Sequence, residues 1–252
     1  MSNGHHKGDA GQIPLLVFHG INSLGWSLYS SLIEALGSNR TIILVNYDAI
    51  KPCTLCLNVI DPFCFNRNII EILDTNFISK VSVVGHSWGT FLTGWILKRI
   101  PDRVSHVTLI DPVALAVYFP DTAYTMFYKP PQSTTDHLLR YFLTNDFTIS
   151  YNLQHHFEWQ NAVVFLDDIP DHVGLVIGIS MKDEFVCSAA VEIVDKCIAE
   201  RIRKVNAAPV RKIIWENYMH AEAIMNQDAI AKIAEMVCKN ENDMGSEIDT
   251  MK

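Results

Sequence analysis

The chain has 252 residues, of which 49% are hydrophobic and 19% charged, and its net charge is −8. This composition excludes a disordered or fibrous protein, and the acidic balance argues against nucleic acid as a partner. No apolar run approaches the ~20 residues of a membrane-spanning helix, and the polar residues 1–11 do not resemble a secretory signal. We therefore expect a cytoplasmic protein without a transmembrane segment.

Strands and helices alternate along the sequence, which predicts a mostly parallel sheet flanked by helices. In chain order, β-branched and apolar runs predict strands at 13–19, 40–47, 80–85, 104–110, 173–179 and 210–215. Helical periodicity predicts helices at 28–36, 66–76, 90–99, 189–205 and 221–239. A polar tail is predicted to follow from 241 to 252.

The alternation is interrupted between residues 113 and 172. This segment holds 12 of the 25 aromatic residues of the chain and is too long for a plain loop in a compact domain. We predict a helical cap, in which some aromatic residues pack onto the sheet and others line an apolar substrate pocket. The predicted domain division is a core of 12–112 and 173–240, a cap of 113–172 and a tail of 241–252.

The strand predicted at 80–85 runs into Gly85-His86-Ser87-Trp88-Gly89, and a helix follows. This order of apolar strand, Gly-x-Ser-x-Gly and helix is typical of a nucleophile elbow. There the serine is held in a sharp turn above the sheet, and the two glycines let strand and helix approach each other. The alternative is a serine in a tight turn without any chemistry. We predict Ser87 as the nucleophile and Gly85 and Gly89 as the elbow glycines.

A serine nucleophile needs a base and an acid that orients the base. In elbow-bearing enzymes the acid follows the serine in the chain, and the histidine follows the acid. His220 lies between the last predicted strand and the closing helix, and Asp183 follows the strand at 173–179. Glu184 and Asp111 are weaker candidates for the acid. The oxyanion hole is predicted to consist of two backbone N–H groups, those of Ile21 and Trp88.

Cysteine and histidine spacing does not predict a metal site. Cys53, Cys56 and Cys64 lie close together, but no fourth ligand follows at the spacing of a structural zinc site. The adjacent His155 and His156 point in different directions on a predicted helix. We therefore expect free thiols, no metal and no cofactor.

With these motifs, the chain from Pro14 to about Lys239 resembles the α/β-hydrolase fold superfamily, and specifically its serine hydrolases. The resemblance is carried by LLVFHG, VVGHSWGT, LIDP, GISMKDEFV and MHAE. It implies the α/β-hydrolase fold with a helical cap inserted after the sixth family strand. The cap resembles that of a poorly characterised group of eukaryotic hydrolase-like proteins. A serine at the elbow argues against epoxide hydrolases and haloalkane dehalogenases, which use aspartate.

The chain departs from the family at its beginning, where the first two family strands are apparently missing. By family topology their absence leaves the edge of the strand around 41–47 open, and an open apolar edge invites pairing with another chain. We expect this edge either to be covered by Gly11 to Pro14 or to form a homodimer contact.

The sequence as a whole predicts a lipase-like serine esterase. We expect it to cleave an ester or related acyl bond of a small, lipophilic substrate through a Ser-His-Asp triad and an acyl-enzyme. The sequence does not distinguish an esterase from a lipase, thioesterase or acyltransferase. The alternative is a non-catalytic protein of the same fold that binds a ligand or partner.

Overall fold

A computed structural model describes residues 12–22, 24–37, 40–52, 55–57, 59, 61–132, 134, 137, 140–141, 145–186 and 189–249. Its sheet has six strands, which all pair in parallel in the order β2-β1-β3-β4-β5-β6. The strands are β1 (Leu15–Phe18), β2 (Ile42–Val45), β3 (Val81–His86), β4 (Val104–Ile110), β5 (Gly174–Ser180) and β6 (Val210–Trp215). The predicted parallel sheet flanked by helices is confirmed.

The described α-helices are α1 (Ser30–Gly37), α2 (Pro62–Thr75), α3 (Gly89–Arg99), α4 (Pro120–Ala123), α5 (Phe147–Tyr151), α6 (Trp159–Ala162), α7 (Ala189–Arg201) and α8 (Gln227–Asp249). Short 3₁₀ turns lie at Gly25–Tyr29, Asp48–Ile50, Pro101–Arg103, Val113–Leu115, Leu166–Asp168 and Glu222–Ile224, and π-helical turns at Tyr124–Tyr128 and Asn152–His156. None of these helices has both the length and the apolar character needed to cross a lipid bilayer.

Helices cover both faces of the sheet, and each face has its own apolar core. Successive side chains of a strand point to opposite faces, so Val83 and Val84 of β3 belong to different cores. Val83 packs in the core that includes Phe91 of α3, whereas Val84 packs in the core with Leu32 of α1 and Ile230 of α8. The continuous apolar strands of the sequence are explained by this burial on both faces.

The closing helix begins later than predicted. The sequence pattern predicts its start at residue 221, but Ala221 has a φ of 68°, a left-handed conformation that an α-helix does not accommodate. Asn226 provides the cap instead, because its Oδ1 accepts the backbone N–H groups of Asp228 and Ala229 at 2.9 and 3.1 Å. Helix α8 therefore starts at Gln227.

Helix α8 continues through Asp249, past residue 241, where the predicted polar tail begins. Two side chains tie this part of the helix to the sheet. The buried Asn240 donates to the carbonyl oxygen of Leu175 at 2.8 Å, and Glu241 pairs with Arg40 at 2.7 Å. Both contacts join residues far apart in sequence, so local polarity does not reveal them.

Two further helix boundaries differ from the prediction for local reasons. Helix α2 starts at Pro62, four residues before the predicted position 66. Asp61 caps this start, because its side chain accepts the N–H groups of Phe63 and Cys64, and proline suits the first helical position. Helix α7 ends at Arg201, short of residue 205. The buried guanidinium of Arg201 donates to four carbonyl oxygens of residues 169–173, which fixes the helix end against the start of β5.

The described part of residues 113–172 consists of short helical segments that pack on the core. Helix α6 lies against α3, where the side chain of Lys98 donates to the carbonyl oxygen of Gln160 at 2.8 Å. Gly94 allows this close approach, because a Cβ at its position would clash with the carbonyl oxygen of Ala162. The division into a core and a cap stays a prediction.

Strand β2 forms one edge of the sheet, and no described strand precedes β1 in the chain. Leu44 of β2 is 39% exposed. The described residues before β1 continue its direction. The N–H of Ser82 donates to the carbonyl oxygen of Pro14, and the N–H of Leu15 donates to the carbonyl oxygen of Thr41. Residues 12–14 therefore lie between β2 and β3, the two strands that flank β1, and do not cover the outer edge of β2. Gly11 lies outside the described residues. The homodimer at this edge stays a prediction.

Candidate active site

Ser87 occupies the sharp turn between β3 and α3. Its φ is 52°, a left-handed conformation that is uncommon for a residue with a side chain. The turn is held by Thr90, whose hydroxyl donates to the carbonyl oxygen of Ser87 at 2.6 Å and accepts the N–H of Ala114 at 3.1 Å. Strain of this kind persists only where the surrounding structure enforces it, and it is common at functional sites.

The glycines around the turn are required by close backbone contacts. A Cβ at Gly89 would clash with the carbonyl oxygen of Phe18 in β1, and one at Gly85 would lie 2.8 Å from the carbonyl oxygen of Gly89. Gly20, in the turn after β1, lies directly against the serine, because a Cβ there would be 2.8 Å from Cβ of Ser87. The residue pattern of the elbow thus follows from the packing of three backbone segments.

The structure brings the side chains of Ser87, His220 and Asp183 together, although they come from three distant parts of the chain. Nε2 of His220 lies 2.7 Å from Oγ of Ser87, and Nδ1 of His220 lies 2.6 Å from Oδ2 of Asp183. These contacts form a continuous hydrogen-bonded chain from hydroxyl to carboxylate. A neutral imidazole in this geometry can accept the serine proton while the carboxylate fixes its tautomer.

The loop after β5 positions Asp183 by backbone hydrogen bonds. Its Oδ1 accepts the N–H groups of Phe185 and Val186 at 2.7 and 3.2 Å, which leaves Oδ2 for the imidazole. The backbone N–H of Lys182 donates to the carbonyl oxygen of Tyr218 and thereby ties the acid loop to the loop of the histidine. The side chain of Asp183 is completely buried, whereas that of His220 is 20% exposed.

The two weaker candidates for the acid lie elsewhere. Glu184 points away and pairs with Lys129 at 2.9 Å on the surface. Asp111 is fully buried at the end of β4, and its two oxygens accept the backbone N–H groups of Ser180 and Ala221. Neither residue hydrogen-bonds the imidazole.

The environment of His220 favours its charged form. Burial alone would lower the pKa of the imidazole, but the charge and hydrogen bond of Asp183, together with the charge of Asp111, outweigh burial and raise the pKa above the ordinary value of 6.5. A raised pKa makes the imidazole a stronger base toward the hydroxyl of Ser87.

The sequence profile of the α/β-hydrolase fold family matches residues 13–167, which is more than half of the chain. The chain belongs to the α/β-hydrolase fold family. The resemblance inferred from the motifs is thereby confirmed. No curated protein sequence matches the chain significantly.

Solved structures of several α/β-hydrolases share the fold at low sequence identity. The meta-cleavage product hydrolase of Pseudomonas fluorescens IP01 is 17% identical, with a TM-score of 0.60 over 92% of both chains. Naproxen esterase from Bacillus subtilis is 12% identical, with a TM-score of 0.56 over 91% of this chain and 85% of its own. Proline iminopeptidase from Mycobacterium smegmatis is 13% identical, with a TM-score of 0.56 over 92% of this chain and 91% of its own. At these identities the likeness shows the fold alone.

The backbone N–H groups of Ile21 and Trp88 have no acceptor among the described residues of this α/β-hydrolase. Trp88 follows Ser87 and lies at the start of α3, where backbone N–H groups lack helical partners. Ile21 follows Gly20, which contacts Ser87 closely. Both groups are therefore free to donate to a substrate oxygen, and the oxyanion hole stays a prediction.

A buried polar network behind the elbow was not predicted from the sequence. The hydroxyl of Tyr29 accepts the N–H of Gly20 and lies 2.7 Å from Nδ1 of His86. Burial, reinforced by the nearby His220 and His19, lowers the pKa of His86 well below its ordinary value, so this imidazole is neutral. The only sequence signal was a histidine at the end of an apolar strand beside Ser87.

A cavity of about 190 Å³ lies between Trp88, the loop after β2 and residues 152–158. None of Ser87, Asp183 and His220 belongs to its described lining. Its apolar wall is formed by Tyr47, Ala49, Ile50, Val59, Pro62, Trp88, Trp95 and Phe157, and its polar part by Asp61, Asn152, His156 and Glu158. Trp88, which directly follows the candidate nucleophile in the chain, is the lining residue that links the cavity to the elbow.

Among the described residues, the potential metal ligands suggested by the sequence do not cluster. Cys56 and Cys64 form no disulfide, and neither they nor His155 and His156 belong to a group of three ligating side chains in the described part of the chain. Cys53 lies outside the described residues. Asp111, Asp183 and His220 do form such a group, with atoms within 4.8 Å of one another, but protein hydrogen bonds already engage both carboxylates and the imidazole.

Proposed function

We propose that this α/β-hydrolase is a serine esterase that acts on a small, lipophilic acyl ester. The observation that carries the proposal is the continuous hydrogen-bonded chain from Ser87 through His220 to Asp183 at a strained elbow. Nucleophile, base and orienting acid are thus in reach of one another, which is the recurrent requirement for nucleophilic acyl transfer.

In the proposed reaction Oγ of Ser87 attacks the ester carbonyl carbon and its proton passes to Nε2 of His220. The negative charge that develops on the carbonyl oxygen is stabilised by the N–H groups of Ile21 and Trp88. His220 then returns the proton to the leaving alcohol as the acyl-enzyme forms. Water, deprotonated by His220, then attacks the carbonyl carbon of this acyl-enzyme. As the acid product leaves, His220 returns the proton to Oγ of Ser87. Asp183 stabilises the imidazolium in both halves.

The substrate class is proposed from the cavity beside Trp88. Its wall is mainly aromatic and aliphatic, which favours an apolar acyl group. Its volume of about 190 Å³ is below the ~300–1,000 Å³ of typical small-molecule pockets, so we expect short acyl chains to fit best. The structural neighbours include an esterase, an iminopeptidase and a meta-cleavage product hydrolase, so the bond that is cleaved has to be inferred from the site.

Rapid mixing of the purified protein with p-nitrophenyl acetate tests this function. An acyl-enzyme predicts a burst of p-nitrophenol stoichiometric with enzyme, followed by slower steady turnover. A well-folded protein that releases no p-nitrophenol from acetate, butyrate or octanoate esters would instead support the non-catalytic ligand-binding alternative.

We predict that kcat/KM for the preferred ester falls as the pH is lowered through the pKa of His220. The base must be neutral to accept the proton, and its raised pKa places the loss of activity above pH 6.5. The measurement is a pH profile of kcat/KM between pH 5 and 9. An acid limb well below the ordinary histidine value would contradict the proposed base.

Enlarging Ala49, which is buried in the cavity wall, should change the chain-length preference. In Ala49→Leu we expect the ratio of kcat/KM for butyrate over acetate esters to fall roughly tenfold or more, because the added carbons take up acyl space. The matched control is Ala35→Leu in α1, on the other face of the sheet, which should leave the ratio unchanged. Equal ratios in all three proteins would exclude the cavity as the acyl site.

A further inference from the structure

Asp111 is a buried carboxylate behind the candidate triad that the reaction described above does not use. It is 0% exposed, and no Lys or Arg pairs with it among the described residues. Its Oδ1 accepts the N–H of Ser180 at 3.1 Å, and its Oδ2 accepts the N–H of Ala221 at 2.9 Å. A buried acid without a basic partner costs stability, and such groups are common at functional sites.

The two N–H groups that Asp111 holds belong to the two loops that carry the other triad members. Ala221 directly follows His220 and has a left-handed φ of 68°. Ser180 ends β5, and its carbonyl oxygen accepts the N–H of Asp183 at 3.1 Å. One carboxylate therefore links the backbone beside the imidazole to the backbone beside the acid. Asp111 itself has a φ of 44°, so its own conformation is also unusual.

The charges around the imidazole come from several elements. Asp183 hydrogen-bonds Nδ1 from the loop after β5, and Asp111 approaches from the end of β4. His86 at the end of β3 is neutral, and the carboxylate of Glu222 is bound to the N–H of Met219 on the histidine loop. Nε2 of His86 is 4.0 Å from Oδ2 of Asp111. Burial raises the pKa of the Asp111 carboxyl above its ordinary value, while the charge of His220 and the N–H groups of Ala221 and Ser180 oppose this rise. In its ionised form Asp111 is the second negative charge beside His220, with a carboxylate oxygen within 4.8 Å of a ring nitrogen, where screening by solvent is weak.

We propose that Asp111 is a positioning residue for the proposed esterase: its ionised carboxylate holds the loops of His220 and Asp183 together and adds a second negative charge beside the imidazolium. The inference rests on the proposed function for its effect on turnover. The carboxylate of Asp111 hydrogen-bonds neither the imidazole nor the serine, and it acts through the two backbone contacts and its charge.

The test is Asp111→Asn, with the imidazole of His220 followed by NMR titration of the free protein. The amide keeps the shape of the side chain but replaces one acceptor oxygen by an NH2 group that only donates, so one of the two backbone N–H groups faces a donor. Because a negative charge is lost close to the ring, we expect the pKa of His220 to fall by about one unit. The acid limb of kcat/KM should move down with it, and kcat should fall roughly ten- to a hundredfold.

Asp111→Ser provides a second uncharged variant if the asparagine does not fold, since the smaller side chain leaves room for water and still accepts one N–H. The matched control is Asp171→Asn, a carboxylate before β5 at the opposite end of the sheet that pairs with Lys204 and Arg201. We expect it to change neither the pKa of His220 nor kcat.

The outcomes separate the inference from the proposed function. The titration needs no substrate, so a protein without esterase activity can still show the fall in the pKa of His220. An unchanged pKa in a folded Asp111 variant, or an unchanged kcat in an active one, overturns the positioning role. Activity that survives Asp183→Asn and is abolished by Asp111→Asn also overturns it, because Asp111 would then be the orienting acid itself.

Discussion

Ser87→Ala should lower kcat/KM for ester hydrolysis by roughly 10⁶-fold, to the level that substrate binding and the oxyanion hole provide alone. His220→Ala should cost a similar factor, because the hydroxyl of Ser87 loses the base that lies 2.7 Å from it. The double variant should be no slower than either single one. Residues that act as one unit are strongly non-additive, so this equality is the expected signature of a working triad.

The control for these variants is Ser82→Ala in the same strand. Ser82 is fully buried, and its hydroxyl has no hydrogen-bond partner among the described residues, so its removal should preserve activity. Steady-state kinetics and thermal melting of all four proteins are the measurements. Additive losses in the double variant, with native-like melting, would show that Ser87 and His220 do not act together.

Gly89→Ala should destabilise the protein by about 3 kcal/mol, as overpacking of a closely packed contact does. The reason is the position of β1 beside the elbow, where the added methyl group would clash with the carbonyl oxygen of Phe18. A flexible side chain could move away, but a strand backbone paired on both sides cannot. For a chain of this length such a loss lowers Tm by roughly 6–12 °C.

Gly37→Ala is the matched control for this glycine. Its added methyl group would lie 2.5 Å from Cδ1 of Ile42, which is the flexible end of a side chain. We expect a small change in Tm, because that side chain can rotate. Calorimetry of both variants compares the two falls in Tm. Equal falls would argue against the contact with the backbone of Phe18 as the reason why position 89 requires glycine.

Local patterns made the elbow and its partners predictable. Gly85, Ser87 and Gly89 follow an apolar strand directly, so strand, turn and helix are all visible in one short segment. Asp183 and His220 follow later strands in the chain order that the fold requires, and their side chains do meet Ser87 in the structure. A parallel sheet gathers the ends of its strands on one side, which makes chain order informative about space.

The features that the sequence did not reveal depend on contacts between distant segments. The role of Asp111 as an acceptor for Ser180 and Ala221 requires three strand ends to meet, and nothing near Asp111 in the sequence indicates it. Tyr29 reaches His86 in the same way, from the turn before α1. Glu241 of α8 pairs with Arg40, which lies 201 residues away. Helix propensity and polarity read along the chain carry no information about such partners.

The identity of the nucleophile is the central claim, and covalent labelling tests it most directly. The protein is treated with a fluorophosphonate, digested and mapped by mass spectrometry, with His220→Ala treated in parallel. We predict one adduct, on Ser87, that forms in the wild type and far more slowly without the imidazole. A folded wild type that remains unlabelled, or that carries the adduct on another residue, would contradict the proposed active site.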